Sequence, residues 1–311
     1  MSAAVSRVPA VFRDSPQYVS EQLSASLGRP VVVKVDTVNP VGCFKGRGTW
    51  LAVQQLVAGG EVGESRGLVV ASAGNFGQGV AYAARAAGVA VTVFASQRAS
   101  VAKLDAMRRL GAEVRLAGDD FDAARAAAAD DAAQRGWRLL VDGEDPWIAI
   151  GAGTMAVELT EGVKRGDLPT LAAIYVPVGN GALIAGVGTW LKADAPSTQV
   201  IGVQAERAPA MTLSWQQGRP IETEEADTVA DGIATRVPIP EALAVMSRTV
   251  DDMRLASETD ILTARDELQA ALPVAVEPSA AVGWAAARQT GAGDGAVAVI
   301  LSGGNVPLTE G

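Results

Sequence analysis

The sequence of 311 residues is 49% hydrophobic and 20% charged, an ordinary globular balance with enough apolar material for two domains. Its formal net charge is −9 and it has no basic tract, which argues against nucleic acid or an anionic membrane as the principal partner. It contains no histidine, and this excludes Ser-His-Asp and Cys-His catalysis and the histidine-based zinc motifs. Proton transfer must therefore depend on lysine, carboxylates, tyrosine or a cofactor.

The single cysteine, Cys43, excludes an intramolecular disulfide and a cysteine-cluster metal site, as is typical of a reducing cytoplasm. With no histidine to activate it, we interpret Cys43 as a packed thiol rather than a nucleophile. Residues 1–14 lack the continuous apolar core of a signal peptide, and proline and glycine interrupt the most apolar run, 171–191. The sequence therefore predicts a soluble, cytoplasmic protein without a membrane segment.

Short β-branched runs alternate with amphipathic helical patterns from Val31 onward, after a less regular start in which residues 17–27 predict a short helix. The predicted strands are 31–35, 67–71, 90–94, 113–116, 138–141, 173–178, 200–204 and 296–301. The predicted helices are 48–57, 77–87, 100–110, 121–135, 150–164, 182–192, 257–271 and 279–289. This alternation indicates an α/β fold of two lobes, each an open, mostly parallel twisted sheet flanked by helices.

One lysine stands out in residues 39–48, which read Asn-Pro-Val-Gly-Cys-Phe-Lys-Gly-Arg-Gly. The strand before this stretch and the helical pattern after it predict that Lys45 lies at the start of a helix. The positive end of a helix and partial burial both disfavour an ammonium, so we hypothesise a neutral, nucleophilic amine suited to a Schiff base. The alternative is an ordinary surface lysine beside a turn.

Three predicted strands end in glycine-rich turns, at residues 72–79, 178–182 and 301–305. Ligands of open parallel sheets bind beyond the carboxyl ends of the strands, where the first turn would present backbone amides and Asn75. Ser72 and Asn75 could instead only cap the following helix.

The second and third turns favour a phosphorylated ligand. Small residues at the start of helix 182–192 let backbone amides converge on an anion, which the helix dipole also stabilises. Neither a dinucleotide fingerprint nor a Walker loop matches there, so the pattern indicates a smaller phosphorylated cofactor. Ser302, in the third turn, could offer its hydroxyl to a ring nitrogen.

Taken in order, these four stretches resemble the fold-type-II family of pyridoxal-phosphate enzymes, specifically its serine/threonine dehydratase and serine racemase branch. The resemblance covers nearly the whole chain. It implies a tryptophan-synthase-β-like fold, with a large cofactor-binding domain of residues 1–48 and 150–311 and a small domain of residues 49–149. The small domain would carry the substrate loop, and pyridoxal 5′-phosphate would be the cofactor.

The resemblance also implies roles for individual residues, with Lys45 as the catalytic residue that forms the Schiff base. It implies cofactor contacts for Phe44, Lys45, Asn75, Gly179, Asn180, Gly181, Ala182, Leu183, Gly232, Glu277 and Ser302. It implies substrate contacts for Ser72, Ala73, Gly74, Asn75 and Phe76. A serine hydroxyl opposite the pyridine nitrogen would leave that nitrogen largely unprotonated and favour loss of a β-substituent over transamination.

Several positions depart from the family's pattern. Phe76 stands in place of the usual histidine, Cys43 in place of serine, and Asn180 and Ala182 in place of two glycines. Ala73 occupies the position of the racemases' second base, which favours dehydration. Thr212 replaces an expected aspartate of the racemases' cation site, so we expect no metal.

The activity that the resemblance implies is β-elimination from a β-hydroxy amino acid such as L-threonine or L-serine, giving a 2-oxo acid and ammonia. A homodimer would be typical, and we expect no C-terminal regulatory domain because the sequence ends soon after Asn305. One alternative is a β-replacement synthase, which the Asn-Pro-x-Gly sequence at 39–42 also resembles. The other is a non-catalytic protein that binds pyridoxal phosphate or another small ligand.

Overall fold

The computed structural model describes residues 1–306, which form two sheets flanked by helices. The strands are β1 (Gln17–Val19), β2 (Val31–Val35), β3 (Leu68–Ala71), β4 (Val91–Ala95), β5 (Glu113–Leu116), β6 (Arg138–Leu139), β7 (Leu171–Pro177), β8 (Gln199–Ala205), β9 (Asp252–Ala256) and β10 (Ala296–Leu301). The helices are α1 (Ser2–Val5), α2 (Glu21–Leu27), α3 (Lys45–Ala58), α4 (Asn75–Ala86), α5 (Val101–Arg109), α6 (Phe121–Arg135), α7 (Pro146–Arg165), α8 (Ala182–Asp194), α9 (Ala210–Gln217), α10 (Pro240–Thr249), α11 (Glu258–Ala271) and α12 (Pro278–Ala287).

The larger sheet has six strands in the order β1-β2-β10-β7-β8-β9, and only β1 runs antiparallel to its neighbour. The smaller sheet has four parallel strands in the order β5-β4-β3-β6. Helices connect the parallel strands and cover both faces of the larger sheet with buried apolar side chains. The predicted α/β fold of two mostly parallel sheets is therefore confirmed.

Glycines let three helices next to the cleft approach one another closely. A side chain on Gly48 of α3 would collide with the backbone of Ile148 in α7, and one on Gly186 of α8 would collide with the backbone of Ala149. The start of α7 is fixed by Asp145, whose carboxylate accepts a hydrogen bond from Trp147 N at 2.8 Å. Helix α7 thus packs against both α3 and α8, and the space bordered by the first turns of these two helices, at Lys45 and Ala182, is called the crevice below.

Two regions of the chain differ from the elements predicted for them. The predicted helix 17–27 is wrong in its first part, since Gln17–Val19 is an edge strand and Ser20 caps α2 instead. Helices α9 and α10 and strand β9 were not predicted. Strand β9 reads Asp-Met-Arg-Leu-Ala and lies at the sheet edge, where its charged residues reach solvent and hide the apolar run typical of a buried parallel strand.

The four strands of the smaller sheet all lie between residues 68 and 139, and the six of the larger sheet lie outside that range. The domain bounds of 1–48 with 150–311 and of 49–149 stay a prediction, which this division of strands supports. No helix within residues 1–306 combines the length and apolarity needed to cross a membrane.

Candidate active site

The chain brings the lysine stretch and the serine turn together at the carboxyl edge of the larger sheet. Phe44 N donates a hydrogen bond to Ser302 O at 2.9 Å, and Cys43 forms an isolated β-bridge with Gly303. These contacts join the end of β10 to the start of α3. They place Lys45 and Ser302 at one end of the crevice, as the sequence predicted for strand-end turns.

Lys45 is the first residue of α3, and its side chain is only 11% exposed. This excludes the ordinary surface lysine. Its Nζ lies 2.6 Å from Asp142 Oδ2, 4.8 Å from the centre of the Phe44 ring and 5.8 Å from that of Phe76. Lys45 thus forms an ion pair with a carboxylate that the sequence did not indicate, and its suitability as a Schiff-base amine stays a prediction.

Asp142 lies in the loop between β6 and α7, 97 residues from Lys45 in sequence. Its Oδ1 is buried and has no hydrogen-bond partner among residues 1–306. No motif marks this aspartate. Its position directly after a predicted strand of a parallel sheet was the one signal that could have identified it.

A buried ionic network fixes the backbone that carries Lys45. Arg47 donates to Asp36 Oδ1 at 2.8 Å and to Glu158 Oε1 at 2.6 Å, and Lys34 Nζ lies 2.5 Å from Glu158 Oε2. Burial disfavours the charge on Arg47, but Asp36 and Glu158 outweigh it and raise the pKa of the guanidinium. Burial also opposes the charge on Glu158, yet Arg47 and Lys34 lower the pKa of this carboxyl. Each charge of the network therefore has an opposite charge as its partner, although burial still lowers the pKa of Lys34.

Asn75 begins α4 and is held by two side chains of the larger lobe. Its Nδ2 donates to Glu277 Oε1 at 2.8 Å, and its Oδ1 accepts from Asn305 Nδ2 at 2.8 Å. Asn305 Nδ2 also donates to Val41 O at 2.9 Å. An asparagine amide carries a second hydrogen on Nδ2, which remains available for a ligand. The sequence motif that contains Asn305 does not predict this orienting role.

Glu277 is buried beside Gly303 and Gly232, where added side chains would meet its carboxylate. Burial raises the pKa of Glu277 to about 7, and neighbouring Asp231 acts in the same direction. Lys103 acts in the opposite direction, and it forms an ion pair with Asp231 that joins α5 of the small sheet's lobe to the larger lobe. Glu277 is thus a poorly solvated carboxyl that orients Asn75.

The loop at Ser72 combines capping with an open backbone. Ser72 Oγ accepts hydrogen bonds from Gly77 N at 2.9 Å and Gly74 N at 3.2 Å, so it bonds an amide of the first turn of α4, whose N-cap residue is Gly74. A side chain on Gly74 would meet no atom within 4 Å, which shows that the loop borders open space. Ala73 and Phe76 lie on either side of this glycine in the loop, and Phe76 is 5% exposed.

The predicted phosphate loop forms the N-terminus of α8. Gly181 has φ +94° and sits against Met246 and Ala242, so a side chain would be disfavoured by both conformation and space. Asn180 Oδ1 accepts a hydrogen bond from Ala182 N at 3.1 Å and takes one amide of the first turn. The amides of Leu183 and Ile184 precede the first backbone bond of the helix, which Ala185 N donates to Gly181 O at 2.9 Å, and are available to an anion.

Gly232 lies next to Gly179 of the phosphate loop. Gly179 faces Ile233 and Gly232, and Gly232 N donates to Ser279 Oγ at 2.8 Å, so the Gly232 amide is already used within the protein. Cys43 is fully buried, and burial raises the pKa of its thiol, which disfavours a nucleophilic thiolate. Within residues 1–306, no three metal-ligating side chains come together.

The donor set fits pyridoxal phosphate. A primary amine suited to an aldehyde, helix N-terminal amides suited to a phosphate and an oriented asparagine amide suited to a ring hydroxyl come from neighbouring segments, and Ser302 is buried at the end of β10 beside Phe44. The unpartnered Asp142 Oδ1 belongs to the same group of residues through its contact with Lys45.

Comparison with known proteins agrees with this chemistry. The family described as pyridoxal-phosphate dependent enzyme matches residues 10–303, and the chain belongs to it. The chain is 36% identical to the L-threonine ammonia-lyase of Thermotoga maritima, over 93% of this chain and 70% of that protein. It is 35% identical to the L-threonine ammonia-lyase of Geobacter sulfurreducens, over 93% of this chain and 70% of that protein.

Solved structures resemble the whole fold. A T.th. threonine deaminase superposes with a TM-score of 0.90 at 30% identity, covering 99% of this chain and 98% of that one. Maize serine racemase superposes with a TM-score of 0.89 at 26% identity, covering 99% of this chain and 93% of that one. The predicted family and its pyridoxal-phosphate cofactor are confirmed.

Proposed function

We propose that the protein is a pyridoxal-phosphate-dependent ammonia-lyase that converts a β-hydroxy amino acid, L-threonine or L-serine, into a 2-oxo acid and ammonia. The observation that carries this proposal is the buried amine of Lys45, placed in one crevice with Asn75 and the α8 N-terminus, in a chain 36% identical to an L-threonine ammonia-lyase. The overall reaction releases one water from the β-hydroxyl and consumes one in freeing ammonia.

Lys45 has two tasks in this scheme. Its amine would hold the cofactor covalently and, when free, would take the α-proton of the substrate. Pyridoxal phosphate, when bound, supplies the electron sink that makes this proton acidic. The ionic network around Arg47 keeps the start of α3 in place while Lys45 changes partners.

The surrounding residues would hold the cofactor. Gly179, Asn180, Gly181, Ala182 and Leu183 form the loop and helix start proposed to bind its phosphate. The free hydrogen of Asn75 Nδ2 would bond the ring hydroxyl, and Ser302 would face the ring nitrogen. Phe44 packs beside Lys45, while Glu277 acts through its hydrogen bond to Asn75, and Gly232 borders the same space.

Residues 72–76 would bind the substrate carboxylate. The open side of Gly74, which is half-buried like Ala73 and Asn75, leaves room for a carboxylate at the start of α4, where the helix dipole favours an anion. Phe76 adds an apolar surface near Lys45, which suits an aliphatic group on Cβ better than a polar one.

The β-replacement alternative loses its motif-based support. Asn39 donates from Nδ2 to Asp36 O at 2.8 Å and Cys43 O at 3.1 Å, so its side chain stabilises the turn before Lys45. The Asn-Pro-x-Gly sequence therefore has a backbone role that is independent of a second substrate.

We also propose that the enzyme is a cytoplasmic homodimer, with no nucleic-acid or membrane partner. The formal net charge of −9 supports the absence of a polyanionic partner, and dimers are the commonest closed assemblies of soluble enzymes. Light scattering on the purified protein measures the mass, and a monomer at micromolar concentration would contradict the dimer.

The test of the activity combines spectroscopy with product assays. The wild-type protein, Lys45→Ala and the exposed-lysine control Lys164→Ala are each supplied with pyridoxal phosphate, and their visible absorbance is recorded before and after reduction with borohydride. Ammonia and 2-oxo acid are then assayed with a panel of β-hydroxy amino acids. We expect a lysine-dependent band and both products in the wild type and control only. Absence of ammonia with every substrate would refute the proposed activity.

A further inference from the structure

Asp142 is the acidic side chain nearest to the reacting amine. Its Oδ2 lies 2.6 Å from Lys45 Nζ, and its side chain is 22% exposed at the crevice. Among residues 1–306 this is its only ion pair, and its Oδ1 has no hydrogen-bond donor. Because Oδ1 is buried, a ligand would reach this carboxylate at Oδ2, the oxygen that Lys45 contacts.

The loop that carries Asp142 is held in a defined position. On its C-terminal side, Asp145 caps α7 through Trp147 N at 2.8 Å. Gly143 has φ +93°, and a side chain there would lie 3.2 Å from Asn180 Cγ in the phosphate loop. Because Lys45 lies on one side of this segment and Asn180 on the other, the backbone directs the Asp142 carboxylate to the crevice.

The chemistry of the proposed reaction changes the partner of this carboxylate. A neutral Lys45 amine, which the transfer of the α-proton requires, offers Asp142 no ammonium. The nearest new hydrogen-bond donors to Asp142 then belong to the substrate. Of these, the β-hydroxyl is the donor that β-hydroxy amino acids have and that their esters lack. Where little water is present, a carboxylate binds a substrate group that donates a hydrogen bond much more strongly than one that only accepts.

We propose that Asp142 is a specificity-determining residue, which selects amino acids whose β-substituent donates a hydrogen bond over those whose β-substituent only accepts one or is anionic. The inference rests on the proposed function and refines its substrate class. A hydroxyl donates to the carboxylate, whereas an acyl ester places oxygen lone pairs against it and a phosphate ester adds like charge. O-acylated and O-phosphorylated serines, the usual kind of donor for β-replacement, are thereby disfavoured.

Asp142 acts here as an acceptor and transfers no proton. Its replacement should therefore raise the KM for a β-hydroxy substrate more than it lowers kcat. A residue with a purely structural role would change neither the ratio between substrate classes nor this split.

The experiment compares Asp142→Asn, which keeps the size of the side chain, with Glu144→Gln, which removes the same charge from an exposed position of the same loop. The kcat/KM values of the cofactor-loaded enzymes are measured with L-threonine, O-acetyl-L-serine and O-phospho-L-serine. We expect the preference for threonine over both esters to fall by about tenfold or more in Asp142→Asn and to stay unchanged in Glu144→Gln. An unchanged preference in Asp142→Asn would overturn the proposal.

A binding measurement separates this proposal from the proposed activity. In a Lys45→Ala background, with pyridoxal phosphate added, the affinities of the same three amino acids are measured by calorimetry with and without Asp142→Asn. We expect Asp142→Asn to weaken threonine and tighten the phosphate ester. Equal affinities with and without Asp142→Asn would overturn the role of Asp142 even if ammonia is released. If the wild type releases no ammonia, the activity fails, and the binding comparison still decides the role of Asp142.

Discussion

The two sets of charged residues on either side of Lys45 differ in how fully they are compensated. Behind it, Lys34, Asp36, Arg47 and Glu158 satisfy one another in a buried network. In front of it, Asp142 has one oxygen without a partner among residues 1–306, and Glu277 is buried with its pKa raised to about 7. The first set therefore fixes the position of the backbone that carries Lys45. The second set contains carboxyl groups that are not fully compensated, at the place where a ligand would bind.

Removing a member of the first set should have the largest effect on stability. Arg47→Met leaves Asp36 and Glu158 buried without their main counter-charge, and we expect a loss of about 3 to 5 kcal/mol in the free energy of unfolding. Urea denaturation measures it. The control Arg165→Met removes an exposed ion pair and should cost less than about 1 kcal/mol. Equal losses of unfolding free energy in the two variants would show that the buried network stabilises the protein no more than a surface ion pair does.

Glu277, of the second set, should make the stability of the protein depend on pH. Burial raises the pKa of Glu277 from 4.5 to about 7, so between these values the folded protein binds more protons than the unfolded chain. The stability that Glu277 contributes below pH 4.5 is therefore lost as pH rises through 7, by about 3 kcal/mol in all. Denaturation of the wild type and Glu277→Gln across this range tests it, since the wild type should lose stability relative to the variant as pH rises. Parallel curves would contradict the raised pKa.

Asn305 bears on the same comparison, because it orients Asn75, the side chain proposed to bind the cofactor. Asn305→Ala removes the hydrogen bonds to Asn75 Oδ1 and Val41 O, and a freely rotating Asn75 should bind the cofactor about tenfold more weakly. Titration with pyridoxal phosphate measures the affinity. Unfolding measurements on the same variant serve as the control, and a large loss of stability with unchanged affinity would assign Asn305 to the fold alone.

The smallest expected effect concerns the side-chain preference. Phe76→His replaces an apolar ring 5.8 Å from Lys45 Nζ with a polar one, and the preference for threonine over serine should fall about fourfold, the value of one buried methylene. The ratio of kcat/KM for the two substrates is the measurement. A ratio that rises would place the methyl group of threonine away from Phe76.

Much of the fold could be predicted because strand runs and glycine turns are local signals. Lys45 begins a helix as expected, and the turn after β10 contacts Phe44 through Ser302 and Asn75 through Asn305. Asp142 could not be predicted, since its meaning depends on an ion pair with a residue 97 positions away. The same holds for Asn305, whose partners belong to other segments. Edge strands such as β9 were missed because their half-exposed residues dilute the apolar pattern.

The position of β10 has a consequence for the order in which the molecule is completed during synthesis. This last of the described strands lies in the middle of the larger sheet, between β2 and β7, and is buried along its whole length. The smaller sheet uses one continuous piece of chain and can form while the ribosome is still elongating it. The larger sheet lacks its central strand until β10 has been synthesised. A nascent chain therefore cannot retain its cofactor before that point.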